Sequence, residues 1–276
     1  MLKVRKFIAR LLPYIFICLF SVIFIMPLLW MVGTSLKQPI EVFSHESGLF
    51  PGNPQWGNYA DVFKRMKFGT YLRNTLITSV LPVIGQLLAA PMVAYSISRV
   101  PWKGGKYIFP LVLFTMMVPG QVTQIPLFAT WSHLGLTNTF WPLVLPAFFG
   151  GAYYVFLLRQ FMLSVPASLL EAARIDGAGE LRALYQIFIP LCKPVLITVG
   201  LMTFMGHWND LLTPLIYLHD GSKYTLAIAL QRFLAEAKQE WELLMAASTV
   251  FTLPIIVIFF IGQKYFIEGI ATTGLK

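Results

Sequence analysis

Long apolar runs constrain this chain more than any other feature of its sequence. A helix needs roughly 20 apolar residues to cross ~30 Å of hydrocarbon, because it rises ~1.5 Å per residue. We therefore predict an all-α integral membrane protein in which residues 1–276 form a single transmembrane domain with six transmembrane helices. The six runs lie at residues 11–32, 75–97, 107–128, 140–162, 193–217 and 245–266.

The composition indicates a lipid environment rather than a soluble or nucleic-acid-binding protein. Charged residues make up 12% of the chain, whereas soluble domains average ~25%. The net charge of +9 does not indicate nucleic acid, because the basic residues are scattered and no nucleic-acid-binding module is present. Lys and Arg near helix ends, facing an anionic inner leaflet, explain the charge better. The expected partner of most of this surface is the lipid bilayer.

The basic residues also predict the orientation. The N-terminal basic residues precede an apolar run that is longer than the ~7–15 residues of a signal-peptide core, so we expect an uncleaved first span. Among the short connections, Ile97–Lys106 contains three basic residues and Ala129–Thr139 contains none. The positive-inside rule then places both termini in the cytoplasm, together with the connection at residues 163–192.

This cytoplasmic connection carries a polar helical segment, Glu171–Gly177. Leu169, Leu170, Ala173 and Ile175 are expected to form its apolar face, and Gly177 is expected to end the helix. A second short helix is predicted from Glu180 to Gln186. The periodicity leaves two interpretations open: an amphipathic connector lying on the inner leaflet, or a coupling helix that docks into a cytoplasmic protein.

The spacing within this connection resembles the E-A-A-x3-G-x9-I-x-L-P motif of permease subunits in bacterial ABC importers, with Ile189 in place of the leucine. Two further segments, Trp208–Ile216 and Tyr265–Lys276, resemble the carbohydrate branch that contains the smaller permease of the maltose system. The resemblance implies a type I ABC importer permease fold with a cytoplasmic coupling helix between spans four and five. The residues implied to couple to the ATPase are Glu171, Ala172, Ala173, Asp176, Gly177, Ile187 and Pro190.

The resemblance also implies partners and a location. The chain would lie in the bacterial cytoplasmic (inner) membrane and pair with a second permease subunit, as a heterodimer. Two copies of a cytoplasmic ATPase would bind ATP and Mg, and an extracytoplasmic solute-binding protein would deliver the solute. The segment Leu226–Leu234 would face that binding protein. The C-terminal tail, Gly274, Leu275 and Lys276, would also reach the ATPase.

Other polar residues in the apolar runs are candidates for lining a pathway. Gln121 and Gln124 lie one turn apart in the third run, where packing is an equal alternative. Asn209 and Asp210 lie in the fifth run, where a hydrogen bond between helices or a place at the outer interface is the alternative. The four histidines lack metal-ligand spacing and the two cysteines offer no disulfide framework, so we expect no metal or cofactor site.

The absence of a G-x4-G-K-[ST] motif means that this sequence has no recognisable loop to hold ATP phosphates. No enzyme motif is present either, so we expect no catalytic activity in this chain and ATP hydrolysis in separate subunits. We therefore expect the permease subunit of an ATP-driven, binding-protein-dependent sugar importer, forming half of the translocation pathway. The alternative is a stand-alone secondary transporter driven by an ion gradient, which normally has repeated halves and midplane ionisable residues.

Overall fold

The computed structural model describes the backbone of residues 2–44, 48–236 and 240–274, and the side chains within residues 11–44, 48–235 and 240–264. Regular structure in these ranges is entirely helical, which confirms the predicted all-α class. The α-helices are α1 Leu2–Ser35, α2 Gly57–Arg65, α3 Phe68–Arg99, α4 Gly105–Met117, α5 Gly120–His133, α6 Trp141–Val144, α7 Ala152–Ser164, α8 Ala167–Ile175, α9 Glu180–Ala183, α10 Ile189–Leu191, α11 Lys193–Trp208, α12 Leu212–Tyr217, α13 Leu226–Glu236 and α14 Trp241–Gly274. Short 3-10 turns lie at Pro39–Glu41, Leu145–Phe149 and Gly221–Lys223, and a π-helical turn lies at Leu184–Phe188.

The described residues fall into two compact units. The first contains the residues up to Phe68 and those in Ala229–Pro254, and the second contains Gly69–Ile228 and the residues after Pro254. In the first unit, Asn58 of α2 donates to the carbonyl oxygens of Ser35 and Lys37 at 2.9 and 3.0 Å. Val62 is fully buried. α2 is therefore a short amphipathic helix, as the helical spacing of its polar and apolar residues favours.

Four helical segments are each long and apolar enough to cross a membrane: Leu11–Ser35, Phe68–Arg99, Trp141–Ser164 and Trp241–Lys264. Two further pairs qualify only as broken spans, namely α4 with α5, bent by 99°, and Glu180–Leu191 with α11, bent by 80°. The described part of the chain therefore has four candidate spans, or up to six if each bent pair counts as one. The predicted third run, at residues 107–128, is not one continuous helix.

The break in the third run lies at Val118 and Pro119. Val118 has an extended backbone, with φ −79° and ψ 118°, because the ring of a following proline disfavours the α region. Pro119 then serves as the N-cap of α5. A proline inside an apolar run favours a kink, and Pro119 lies where one helix ends and another starts.

The fourth run is interrupted near its middle. After α6 and the 3-10 turn, Gly150 adopts φ +77°, and the backbone amide of Gly151 donates to Oε1 of Gln86 in α3 at 3.1 Å. A side chain of a neighbouring helix thus satisfies a backbone group that the helix itself has released, as hydrocarbon requires.

The fifth run also differs from its prediction as one helix over residues 193–217. α11 ends at Trp208, and α12 starts only at Leu212. The Asn209 amide donates to the Met205 carbonyl at 2.9 Å, and Asp210 accepts from the Thr213 amide at 3.1 Å. Asn and Asp side chains compete with helical hydrogen bonds in this way, which explains the break.

A core cluster in the second unit positions the connection between α7 and α11. Leu158 of α7, Leu170 of α8, Phe188 of the π turn and Val195 of α11 all belong to it, together with Ala94 of α3. Phe188, Leu158 and Val195 are fully buried. Because five elements meet in one core, α8 is packed against α3, α7 and α11.

The positive φ of Gly150 predicts that alanine destabilises the protein at this position but not at Gly206. Gly150→Ala is expected to cost ~1–2 kcal/mol, because a Cβ is disfavoured in a left-handed backbone, and so to lower the melting temperature of the purified protein. Gly206→Ala is the matched control: nothing lies within 4 Å of the added Cβ, and alanine favours the helix. A Gly150→Ala protein that melts no lower than the wild type would contradict this.

Candidate functional site

The end of α8 depends on Gly177. This glycine has φ +78°, its amide donates to the Arg174 carbonyl at 3.1 Å, and the Ala178 amide donates to the Ala173 carbonyl at 2.9 Å. These two bonds form a Schellman cap, in which the left-handed residue is usually glycine. The helix end predicted at Gly177 is therefore present, and the backbone conformation explains the residue.

Glu180 links α8 to α3. Its Oε2 accepts from the Tyr95 hydroxyl at 2.7 Å, and its Oε1 accepts from Nε and Nη2 of Arg174 at 3.1 and 2.8 Å. Tyr95 is 3% exposed and the Glu180 side chain is 41% exposed, so the bond joins a buried hydroxyl to a partly exposed carboxylate. Neither Tyr95 nor Glu180 is among the site residues predicted from the sequence.

Arg99, the last residue of α3, binds the C-terminal end of α7. Its guanidinium donates to the carbonyls of Met162, at 3.1 Å from Nε, and of Val165. It also lies 5.5 Å from the ring centroid of Phe188. The last carbonyls of a helix have no partner inside the helix and favour a cation. Arg99 thereby fixes the point at which the chain leaves α7. An arginine in the last turn of a span is the sequence signal that could have predicted this contact.

The four residues predicted to form one apolar face of α8 do not share one environment. Leu170 and Ala173 are buried, whereas Leu169 is 42% exposed and Ile175 is 86% exposed. At 3.6 residues per turn, Ile175 lies about 140° around the helix from Leu170. Since the core cluster contacts α8 at Leu170, Ile175 is directed away from it. The predicted single apolar face is therefore divided into a buried part and an exposed part.

The connection therefore presents apolar side chains outward. This outward apolar set consists of Leu169, Ala172, Ile175, Leu181 and Tyr185, all exposed. Contiguous exposed apolar side chains rimmed by polar residues are typical of an interaction surface. Polar groups rim it here, among them the exposed carboxylates of Glu171 and Asp176 and the guanidinium of Arg182. Among the described residues, Glu171 has no ion-pair partner.

The helical segment Glu180–Leu191 continues the surface and then turns sharply into α11. The bend between them is 80°, so the segment runs along the membrane surface if α11 crosses the bilayer. Its π turn at Leu184–Phe188 ends two residues before Pro190. Proline has no amide hydrogen and clashes with the carbonyl four residues earlier, and a widened turn accommodates both effects.

The predicted site residues occupy different environments. Ala172 is exposed and Ala173 is buried, whereas Ile187 is half-buried against the core cluster and Pro190 is exposed. Gly274 is the last residue of α14, and Leu275 and Lys276 lie outside the described residues. The roles of these residues stay predictions.

The candidate pathway residues are separated along the chain. Gln121 and Gln124 lie on α5, one exposed and one half-buried. Asn209 and Asp210 lie in the break after α11, where their side chains bind nearby backbone. Within the described residues, no group of three or more His, Cys, Asp or Glu side chains could hold a metal ion.

The cap geometry at Gly177 predicts different tolerance for two substitutions. A Cβ at this position would have nothing within 4 Å, so only the backbone conformation limits the residue. Gly177→Val is expected to weaken the cap by ~1–2 kcal/mol, whereas Gly177→Asn, which visits the left-handed region more readily, serves as the mild control. Hydrogen exchange measured on peptides covering α8 should rise about tenfold for each ~1.4 kcal/mol lost. Equal exchange in both variants would contradict the cap assignment.

The sequence of this chain matches a known protein family and several known permeases. The profile of the binding-protein-dependent transport system inner membrane component family matches residues 86–272. The probable ABC transporter permease protein YurM of Bacillus subtilis (strain 168) is 31% identical over 264 residues, covering 95% of this chain and 87% of that protein. The galactooligosaccharides transport system permease protein GanQ of the same organism is 30% identical over 281 residues, covering 100% of this chain and 98% of that protein.

Solved structures agree with the sequence comparison. A chain in the crystal structure of a bacterial ABC transporter involved in the import of the acidic polysaccharide alginate has a TM-score of 0.83 and 25% identity, covering 95% of this chain and 98% of that chain. A chain from a bacterial alginate ABC transporter in complex with an alginate pentasaccharide-bound periplasmic protein has a TM-score of 0.64, covering 93% and 94%; at 16% identity it shows the fold alone. This chain belongs to the binding-protein-dependent transport system inner membrane component family and has the fold of an ABC importer permease.

Proposed function

We propose that this chain is the permease subunit of an ATP-driven, binding-protein-dependent carbohydrate importer and forms half of its translocation pathway. The relatives support the substrate class: besides GanQ, the melibiose/raffinose/stachyose import permease protein MelC of Bacillus subtilis is 31% identical over 255 residues, covering 91% of each chain. The observation that carries the mechanism is the outward apolar set on a connection that is fixed firmly to α3, α7 and α11.

The coupling role rests on this rigidity. A helix that docks into a cleft of a cytoplasmic ATPase transmits movement only if it moves together with the spans. The Tyr95–Glu180–Arg174 bonds tie α8 to α3, and Arg99 ties α3 to the end of α7. A displacement of α8 would therefore shift these helices as one body. ATP favours one conformation of the importer only by the difference between its affinities for the two conformations.

The residues of the connection divide into two roles in this proposal. Glu171, Ala172 and Asp176 are exposed and would contact the ATPase. The small side chain of Ala172 would let α8 approach the surface of the ATPase closely. Ala173, Gly177, Ile187 and Pro190 would shape the connection, since they pack inward, cap α8 or accommodate the π turn. The tail residues Gly274, Leu275 and Lys276 would give a second contact with the ATPase.

The remaining partners follow from the same assembly. ATP and Mg would be held by two cytoplasmic ATPases, and a second permease subunit would complete the pathway. Both termini would lie in the cytoplasm, with six spans if each bent pair crosses once. Gln121, Gln124, Asn209 and Asp210 would line the pathway, and α13, which contains Leu226–Leu234, would face the solute-binding protein outside.

A reconstitution experiment separates this proposal from the ion-coupled alternative. Vesicles containing the chain with its co-purifying subunits should accumulate a carbohydrate only with ATP inside and the binding protein outside. Uptake driven by a proton or sodium gradient, with the chain alone, would overturn the proposal.

Charge reversal at Glu171 tests the docking surface. Glu171→Lys is expected to lower ATP-driven uptake at least tenfold, the effect of ~1.4 kcal/mol, because it reverses the charge of an exposed carboxylate on the rim of the outward apolar set. Asp61→Lys reverses a half-exposed carboxylate of α2 that pairs with Lys64 at 3.5 Å, outside the connection, and should leave uptake near the wild-type level. Co-purification of the ATPase measures assembly directly: an unchanged yield of ATPase with Glu171→Lys would contradict a docking role.

The Tyr95–Glu180 bond can be tested by its effect on coupling. A hydrogen bond to a charged group contributes ~1.5–3 kcal/mol, so Tyr95→Phe should loosen α8 while leaving the exposed docking surface intact. We expect normal co-purification of the ATPase but more ATP hydrolysed per solute molecule transported. Tyr107→Phe, at an exposed tyrosine of α4, is the control, and equal ratios of hydrolysis to transport in both variants would rule out the linking role.

A further inference from the structure

A groove on the second unit has no part in the proposed coupling. It has a volume of about 370 Å³ and lies between α3, α11 and α14. Its walls are apolar, formed mainly by Val80, Val83 and Leu87 of α3 and by Leu196, Gly200 and Phe204 of α11. Of the lining residues whose side chains the structure describes, Lys193 is the only charged one. An apolar groove of this kind offers no hydrogen bonds to a sugar.

The groove is about as long as one leaflet of a bilayer is thick. Lys193 and Phe204 mark its two ends on α11, and the helix rises ~16 Å from one position to the other, at ~1.5 Å per residue. Half of the ~30 Å hydrocarbon core is ~15 Å. With Lys193 at the membrane surface, the groove therefore ends near the bilayer midplane.

The end at Lys193 is suited to an anion. The Lys193 side chain is exposed, and among the described residues no carboxylate pairs with it. Lys193 is also the first residue of α11, a helix of 16 residues, whose N-terminus carries a partial positive charge. Two positive features thus lie where a phospholipid would place its phosphate.

The polarity of the groove favours a phospholipid as its occupant. The lining is apolar along α3 and α11, and its charged residue lies at one end, at Lys193. An acyl chain matches the apolar lining, and a headgroup phosphate matches the cation at its end.

We propose that this groove binds an anionic phospholipid, with one acyl chain along α11 and the headgroup phosphate on the Lys193 ammonium. The binding depends only on the membrane location of the chain. The lipid's place in the cytoplasmic leaflet follows from the proposed orientation.

Lipid retention in native mass spectrometry tests the site. The full-length chain, purified with its co-purifying subunits from nanodiscs of mixed phosphatidylcholine and phosphatidylglycerol, should retain phosphatidylglycerol. Lys193→Gln should lower that retention about fivefold, equivalent to the ~1 kcal/mol that one lysine contributes near an anionic surface. Lys193→Arg should preserve it, and Lys103→Gln, at an exposed lysine outside the groove, is the control.

A second variant tests the acyl chain rather than the headgroup. Ile197 lines the groove, so Ile197→Trp should fill it and reduce retention of phosphatidylglycerol while Lys193 stays in place. If this protein does not accumulate in the membrane, Val83→Phe fills the groove from α3 instead.

Three results would overturn the proposal: equal retention in Lys193→Gln and Lys103→Gln, equal retention of phosphatidylcholine and phosphatidylglycerol by the wild type, or undiminished retention in the groove-filling variant. Failure of the proposed transport function would leave these measurements unaffected.

Discussion

Backbone groups released where a helix ends in a membrane protein must find hydrogen-bond partners within the protein, and three helix ends of this chain meet that requirement with polar side chains. An unsatisfied amide or carbonyl costs several kcal/mol in the bilayer core. The amide of Gly151 binds Gln86, the break after α11 is bridged by Asn209 and Asp210, and Arg99 binds the carbonyls at the end of α7. Gln86 and Arg99 also join α3 to the two ends of α7.

Such hydrogen bonds also attach the connection at residues 163–192 to the transmembrane helices. An amphipathic connector that rests on the inner leaflet would need only an apolar face toward the lipid. α8 instead buries Leu170 and Ala173 in the protein core, turns Leu169 and Ile175 outward, and is bonded to α3 through Glu180. These outward apolar side chains are the surface that the ATPase would cover in the proposed function.

The sequence predicted features that depend on local rules and missed those that depend on distant contacts. The continuous spans follow from run length, and the end of α8 follows from the conformational freedom of Gly177. Pro119 predicts a kink, but the 99° angle depends on what α5 packs against. Leu170 of α8 packs in a core cluster with residues of α3, α7 and α11 that are distant in the sequence, so no periodicity within nine residues could show that Ile175 is exposed.

The coupling connection and the lipid groove meet at one point of the chain. Lys193 begins α11 at the 80° bend that follows Glu180–Leu191. Leu170 of α8 shares one core cluster with Phe188 before this bend and Val195 after it, so a movement of α8 would reach α11 through that core. A phosphate bound to Lys193 would hold the start of α11 at the membrane surface, so the connection would rotate about a fixed end. The bilayer would then act as the stationary support against which the cytoplasmic movement opens the pathway.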